Sequence, residues 1–182
     1  MKTLTTFTLA AIVLAGTAIA EEPCKCKPLP SFKLAATNGK TYTQSDMTKK
    51  ATVVVFLKAG CPHNPKAVSD LNRLMTDLTS KVWVVGVVDL DAKAAKKYAS
   101  ELKVKFPLIA DANKKVVNGF GAKRSLDMAI VCSHDKKVAQ VWEGYNQASL
   151  KELVASLPGH GGPTLKVDYS KYPKSLVSGC GF

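Results

Sequence analysis

The stretch from Thr52 to Leu78 constrains this chain more than any other. The run Val53-Val54-Val55-Phe56-Leu57 is β-branched and aromatic, and it passes through Lys58-Ala59-Gly60 to Cys61-Pro62-His63-Asn64. Such a run bounded by a glycine reads as a strand buried on both faces. Beyond it, Ala67, Val68, Leu71, Leu74, Met75 and Leu78 recur at three- and four-residue intervals, which is one face of an amphipathic helix. Proline is tolerated in a first helical turn, where amide N–H groups lack intrahelical partners. The spacing therefore puts Cys61 at the helix N-cap, just past a central strand. Unpaired amides and the positive end of the helix dipole there favour a thiolate.

The remaining pattern alternates strand and helix. Ser31 to Leu34 and Thr41 to Thr43 flank the turn signal Thr37-Asn38-Gly39-Lys40 and predict a hairpin. Val82 to Asp89 is a second nearly continuous apolar run, followed by a helix over Ala92 to Leu102 with Ala95, Tyr98, Ala99 and Leu102 on one face. Phe106 to Ile109 predicts a short strand, and Asn118 to Gly121 closes a brief helix. Met128 to Cys132 and Val138 to Trp142 form a β-hairpin, and a last helix from Leu150 to Leu157 is capped by Ser149 and stopped by Pro158-Gly159. Strands alternating with helices, then an antiparallel pair, give an α/β fold with a mixed central sheet flanked by helices on both faces.

The segment Phe56 to Asn64 resembles the active-site segment of the thioredoxin-like redoxins, the AhpC/TSA and TlpA-like thiol–disulfide families. The resemblance spans roughly Leu29 to Leu157 and implies a thioredoxin-like fold with an added N-terminal hairpin. It also implies a thiol oxidoreductase in which Cys61 is the nucleophile. Those families usually carry Cys-Pro-x-Cys, and here the second cysteine position holds Asn64. A dithiol mechanism within residues 61 to 64 is thereby excluded, and a resolving thiol must come from elsewhere. Peroxiredoxins place Thr or Ser three residues before the cysteine, with a proline four residues earlier again. Here Lys58 and Val54 stand at those positions, so disulfides rank ahead of hydroperoxides as substrates. Thioredoxins also place a cis-proline ahead of the strand that is Met128 to Cys132 here, where this chain has Ser125-Leu126-Asp127. A histidine in the slot of His63 implies, by the same resemblance, support for the thiolate. Lys58 adds positive potential to the same end.

The cysteines are Cys24, Cys26, Cys61, Cys132 and Cys180. Their odd number leaves at least one thiol free or paired between molecules. Cys180 is the first candidate to resolve Cys61, since a glycine-flanked tail can carry a remote thiol to a site at modest entropic cost. Cys24 and Cys26 are the second choice, and a Cys180 tie to either of them is the structural alternative. Cys132 falls at the far end of its strand, about 15–20 Å from Cys61, and is assigned to the core. The copper-delivery pattern Cys-x-x-x-Cys is absent at Cys61, so no metal and no cofactor is expected.

Residues 1–20 read as a signal peptide: Lys2, an apolar run from Leu9 to Ala15, and the small-residue site Ala18-Ile19-Ala20. No stretch is long enough to cross a bilayer. The expected organisation is a signal at 1–20, a Cys-x-Cys arm at 21–28, a redoxin domain at 29–157 and a mobile Gly/Pro-rich tail at 158–182, with an edge strand over Val167 to Tyr172. A formal charge of +12 is mostly lysine spread over helix faces and turns. Nucleic-acid binding gathers Arg and Lys into a patch, so no nucleic acid is expected. The expected partners are a thiol or disulfide substrate, with a hydroperoxide as second choice, and an external thiol reductant. The rival reading is a catalytically decayed thioredoxin-fold interaction module, released after export to the periplasm or medium like the first.

Overall fold

The apolar run becomes the strand on which the molecule is built. A computed structural model describes residues 26–78 and 81–182. Strand β4 (Thr52–Leu57) is buried along its whole length. It pairs in parallel with β5 (Trp83–Val88) and antiparallel with β7 (Met128–Val131). Outside them lie β6 (Leu108–Ala110), parallel to β5, and β8 (Lys137–Trp142), antiparallel to β7. The two-residue strand β1 (Lys27–Pro28), at the end of the expected Cys-x-Cys arm, completes one edge against β8. Backbone hydrogen bonds, which leave no side-chain signature, hold it there. The predicted hairpin forms as β2 (Lys33–Ala35) and β3 (Thr41–Thr43).

The period of two along β4 divides the core. Val53, Val55 and Leu57 face α1 (Asn64–Leu78), α2 (Ala92–Glu101) and α4 (Gln147–Ser156). Val54 and Phe56 face α3 (Lys115–Phe120) and the hairpin, with the Phe56 and Phe120 rings edge-on at 5.3 Å. Helices thus cover both faces, as expected. Gly86 lets the β5–β6 side pack closely, since a Cβ there would fall 2.3 Å from Leu108 Cδ2.

The structure corrects three local expectations. The cap of α4 is Asn146, whose side chain accepts the Ser149 N–H, while Ser149 reciprocates as the other half of a capping box. Tyr169–Lys171 forms a 3-10 turn rather than an edge strand. The segment beyond Pro158, expected to be mobile, is packed along the body. Tyr172 is buried and its hydroxyl donates to Asp77 at 2.6 Å, and Tyr145 and Val177 exchange backbone hydrogen bonds of 2.9 and 2.8 Å. Apolar side chains (Leu165, Val167, Tyr169) supply the grip, offsetting the Gly and Pro content that suggested mobility. The proposed signal peptide and Cys24 lie outside the described residues, among which no helix is long and apolar enough to cross a membrane.

Candidate functional site: a cysteine under the C-terminal strap

Chain geometry after β4 is set by a glycine and two prolines. Gly60 has φ +74, the left-handed region that a side chain resists, and turns the chain toward Cys61. Helix α1 begins only at Asn64, so Cys61 is not the N-cap that its spacing predicted. Pro65 lacks the N–H that would bond back to the Cys61 carbonyl, which instead accepts the Asn64 N–H at 3.2 Å in a tight turn. The sulfur is therefore served by individual groups and not by the helix start as a whole.

There are four such groups, and two of them come from the far end of the sequence. The Cys180 amide donates to Cys61 Sγ at 3.1 Å. Burial pushes the Cys61 thiol up, but hydrogen bonds from the Cys180 thiol, the Cys180 and His63 amides and the Ser125 hydroxyl outweigh it. The net effect holds Cys61 below its ordinary value. Cys180 moves the opposite way, raised first by its hydrogen bond to Cys61 and then by burial, with the Lys58 charge working against both. The first proton to leave this pair is the one on Cys61.

The strap is held by backbone bonds along the loop before β7. Ser125 N–H donates to the Cys180 carbonyl at 2.8 Å and Gly179 N–H to the Ser125 carbonyl at 2.9 Å. Phe182 N–H donates to the Lys123 carbonyl at 3.0 Å, and the Lys58 ammonium bonds the Gly181 carbonyl. Gly179 must be glycine, because a Cβ there would fall 2.6 Å from Ser125 Cβ and 3.1 Å from Cys61 Sγ. Beneath this strap Cys61 is 5% exposed.

The loop itself departs from the thioredoxin pattern that the sequence resembles. No cis peptide occurs among the described residues, and Leu126 makes the sharp turn with φ +75. A non-glycine residue held there costs about 1–3 kcal/mol and persists only where its surroundings over-determine it. They do so here: Leu126 is fully buried, its N–H donates to the Phe56 carbonyl, and the Asp127 carbonyl accepts the Phe56 N–H. Asp127, also fully buried, clamps the loop, its carboxylate accepting the N–H groups of Lys123, Arg124 and Gly144.

The sequence-selected residues divide as follows. Lys58, Cys61, Pro62 and His63 share one loop, Asn64 opens the helix that follows, and Cys180 joins them. His63 acts through its amide, while its exposed imidazole edge lines a cavity of about 350 Å³ with Pro62, Lys66, Asp70 and the strap. Lys58 reaches across to the strap, so its charge acts on Cys180. Asn64, fully buried, donates through Nδ2 to the Lys58 carbonyl at 2.8 Å and to the Tyr98 hydroxyl at 2.6 Å. Cys132 is a buried free thiol just beyond β7, at the end of the strand paired with Thr52, five strand residues from Leu57 and so about 17 Å from the site end. Cys26 is disulfide-bonded while Cys61, Cys132 and Cys180 are free. The alternative tie between Cys180 and the N-terminal arm is therefore absent here, and Cys26 offers no resolving thiol in this state. Sequence reasoning missed Ser125. Its position in the slot where a proline was expected was the available signal.

A thioredoxin-like sheet with a lone cysteine at the end of its central strand defines the class. Residues 26–145 match the AhpC/TSA family model, and the chain belongs to the AhpC/TSA family. A comparison with curated proteins finds no match. Among solved structures it is similar to MTB dsbF, at 24% identity and TM-score 0.61 over 71% of this chain and 96% of that one. It is similar to the bacterioferritin comigratory protein of Xanthomonas campestris, at 19% identity and TM-score 0.57 over 71% and 92%. It is similar as well to the exposed lipoprotein thioredoxin Etrx1 of Streptococcus pneumoniae, at 21% identity and TM-score 0.59 over 68% and 97%. These likenesses establish the fold. Family membership supports a redox enzyme.

Proposed function

We propose that the chain is an exported thiol oxidoreductase in which Cys61 is the nucleophile and Cys180 the resolving thiol. The Cys61 thiolate attacks one sulfur of a substrate disulfide, forming a mixed disulfide and releasing the other sulfur as thiolate. Cys180 then attacks Cys61, the remaining substrate thiolate leaves, and a Cys61–Cys180 disulfide results. An external thiol returns the pair to the reduced state by two exchanges, entering at the more exposed Cys180. A hydroperoxide is the second substrate class: the thiolate takes one oxygen as sulfenic acid, an alcohol leaves, and condensation with Cys180 releases water.

The observation that carries this reading is the Cys180 amide on Cys61 Sγ, which brings two free thiols together from positions 119 residues apart. The experiment is titration of the reduced mature chain with a small-molecule disulfide, followed by mass mapping. A Cys61–Cys180 bridge, and loss of that bridge with a trapped Cys61 adduct in Cys180→Ser, is the expected result. A Cys61 that stays reduced would instead favour the rival interaction module.

A further inference from the structure

The Cys61 thiol is not the only group at this site with a proton to place. Ser125 Oγ, in a fully buried residue, accepts the Lys58 N–H at 2.9 Å and donates to Asn64 Oδ1 at 2.8 Å. A Cβ at Gly179 would fall 2.6 Å from Ser125 Cβ and 3.1 Å from Cys61 Sγ, so the Ser125 side chain and the sulfur flank the same small space. The Ser125 hydroxyl is also among the donors that favour the Cys61 thiolate. A hydroxyl has one proton, so it cannot serve Asn64 and the sulfur at once. Asn64 is fixed as the competing acceptor, because its Nδ2 is committed to the Lys58 carbonyl and the Tyr98 hydroxyl.

We propose that Ser125 is a catalytic residue of this centre, turning its single proton from Asn64 Oδ1 to Cys61 Sγ as the sulfur ionises, with Asn64 the positioning residue that holds that proton ready. This deepens the proposed function and rests on Cys61 as its nucleophile. No proton is consumed. The hydroxyl stays intact, swings to the thiolate, and returns to Asn64 when Cys61 enters a disulfide and loses its charge. The residue at the position of a second cysteine thus serves the first one by a different route. Lys58 supports the swing from behind, since its N–H remains on Ser125 Oγ in either orientation.

The other titratable groups around Cys61 are Cys180 and Lys58, His63 on its own loop, Tyr98 on α2, and Asp89 beyond β5, whose carboxylate accepts the Ala59 N–H at 2.6 Å. Replacing the Ser125 hydroxyl leaves all of them in place, together with the backbone bonds to the strap. The test is the pH profile of Cys61 alkylation by iodoacetamide in the reduced full chain, resolved from Cys180 and Cys132 by mass mapping. In Ser125→Ala the midpoint should rise by about one pH unit, a roughly tenfold loss of thiolate at a given pH, as fits one charge-assisted hydrogen bond. Ser125→Thr, which keeps a hydroxyl, should restore the profile. Asn64→Ala should move the midpoint the other way, because the thiol state loses the acceptor that competes for the proton. Opposite signs are the signature of competition, and a merely structural role would not produce them. Should Asn64→Ala not fold, Ser125→Ala against Ser125→Thr decides. A Ser125→Ala profile that overlays the wild type, or both alanine variants shifting together, overturns the inference. A wild-type chain that forms no Cys61–Cys180 bridge sinks the proposed function instead, so the two failures are distinguishable.

Discussion

The backbone N–H of Cys180 points at Cys61 Sγ from 3.1 Å. An amide and a thiol of the same residue therefore act on one sulfur. The amide solvates the thiolate and the thiol donates to it, and in the proposed cycle that same thiol attacks the oxidised Cys61.

Cys180→Ser separates these roles, because it keeps the amide and replaces the thiol with a hydroxyl. The hydroxyl remains a donor, so Cys61 should still titrate below an ordinary thiol. Cys180→Ala removes the side-chain donor and should raise the Cys61 midpoint while leaving it within the strap. The sign for stability follows from the depressed folded-state value. Cys61 contributes stability that is present above the unfolded-state thiol value and lost as pH falls through the folded value. Cys180, raised in the fold, works oppositely: its contribution is present below the ordinary thiol value and fades as pH rises through the folded one. Alkylation profiles of the two variants, with urea unfolding across the alkaline range, check both statements.

The strap can be loosened without touching either cysteine. Gly144 has φ +75, and a Cβ there would fall 2.4 Å from the Val177 carbonyl oxygen, one end of the Tyr145–Val177 bridge. Gly144→Ala should therefore push the strap outward. Loss of the two backbone bonds at that bridge, about 1 kcal/mol net each, should raise the rate of Cys61 labelling by a bulky maleimide about tenfold or more. Deletion of Val177 to Phe182 should raise it further. Equal labelling in wild type and both variants would mean that the strap is not what shields Cys61.

Much of the frame was legible in the sequence because it rests on side-chain chemistry repeated at fixed periods. The Val53–Phe56 run, the helix stripe from Ala67 to Leu78 and the Asn38-Gly39 turn all became the elements they predicted. The anchoring of the strap was not legible, since Ser125 and Cys180 meet through backbone N–H and C=O groups, which leave no mark in the side-chain pattern. The Gly and Pro content of the tail concealed its anchors, Tyr172 on Asp77 and the Tyr145–Val177 bridge. The N-cap expectation at Cys61 failed for a reason that was in the sequence: two prolines, Pro62 and Pro65, occupy the turn, and the second removes the amide that an earlier helix start would need. Asn64 read as a missing cysteine. Two of its three side-chain hydrogen bonds appear only when Tyr98 and Ser125 are brought to it by the fold.

Phe56→Ala tests the face of the sheet opposite α1. The ring is fully buried and meets Phe120 edge-on. Truncation should destabilise the fold by about 3–5 kcal/mol, measured by urea unfolding. Phe56 also carries the backbone N–H and C=O that hold Asp127 and Leu126, but these bonds survive the substitution. The Cys61 alkylation profile of the folded variant should accordingly stay near that of the wild type.

Asp127→Ala should do the reverse, affecting site and stability together. Its fully buried carboxylate gathers the amides of Lys123, Arg124 and Gly144, so the two chain segments that carry Ser125 and flank Tyr145 share one anchor. Removing it strands three amide donors, that of Gly144 buried and those of Lys123 and Arg124 partly buried, for which a loss of about 2–4 kcal/mol is expected. Asp127→Asn keeps one acceptor oxygen and should lose less. Because Lys123, Ser125 and Tyr145 all hold the strap through their backbones, formation of the Cys61–Cys180 disulfide should slow in both variants in the same order as their stability loss. Stopped-flow oxidation followed by mass mapping measures that rate, and a wild-type rate in a destabilised Asp127→Ala would show that the loop finds its place without this clamp.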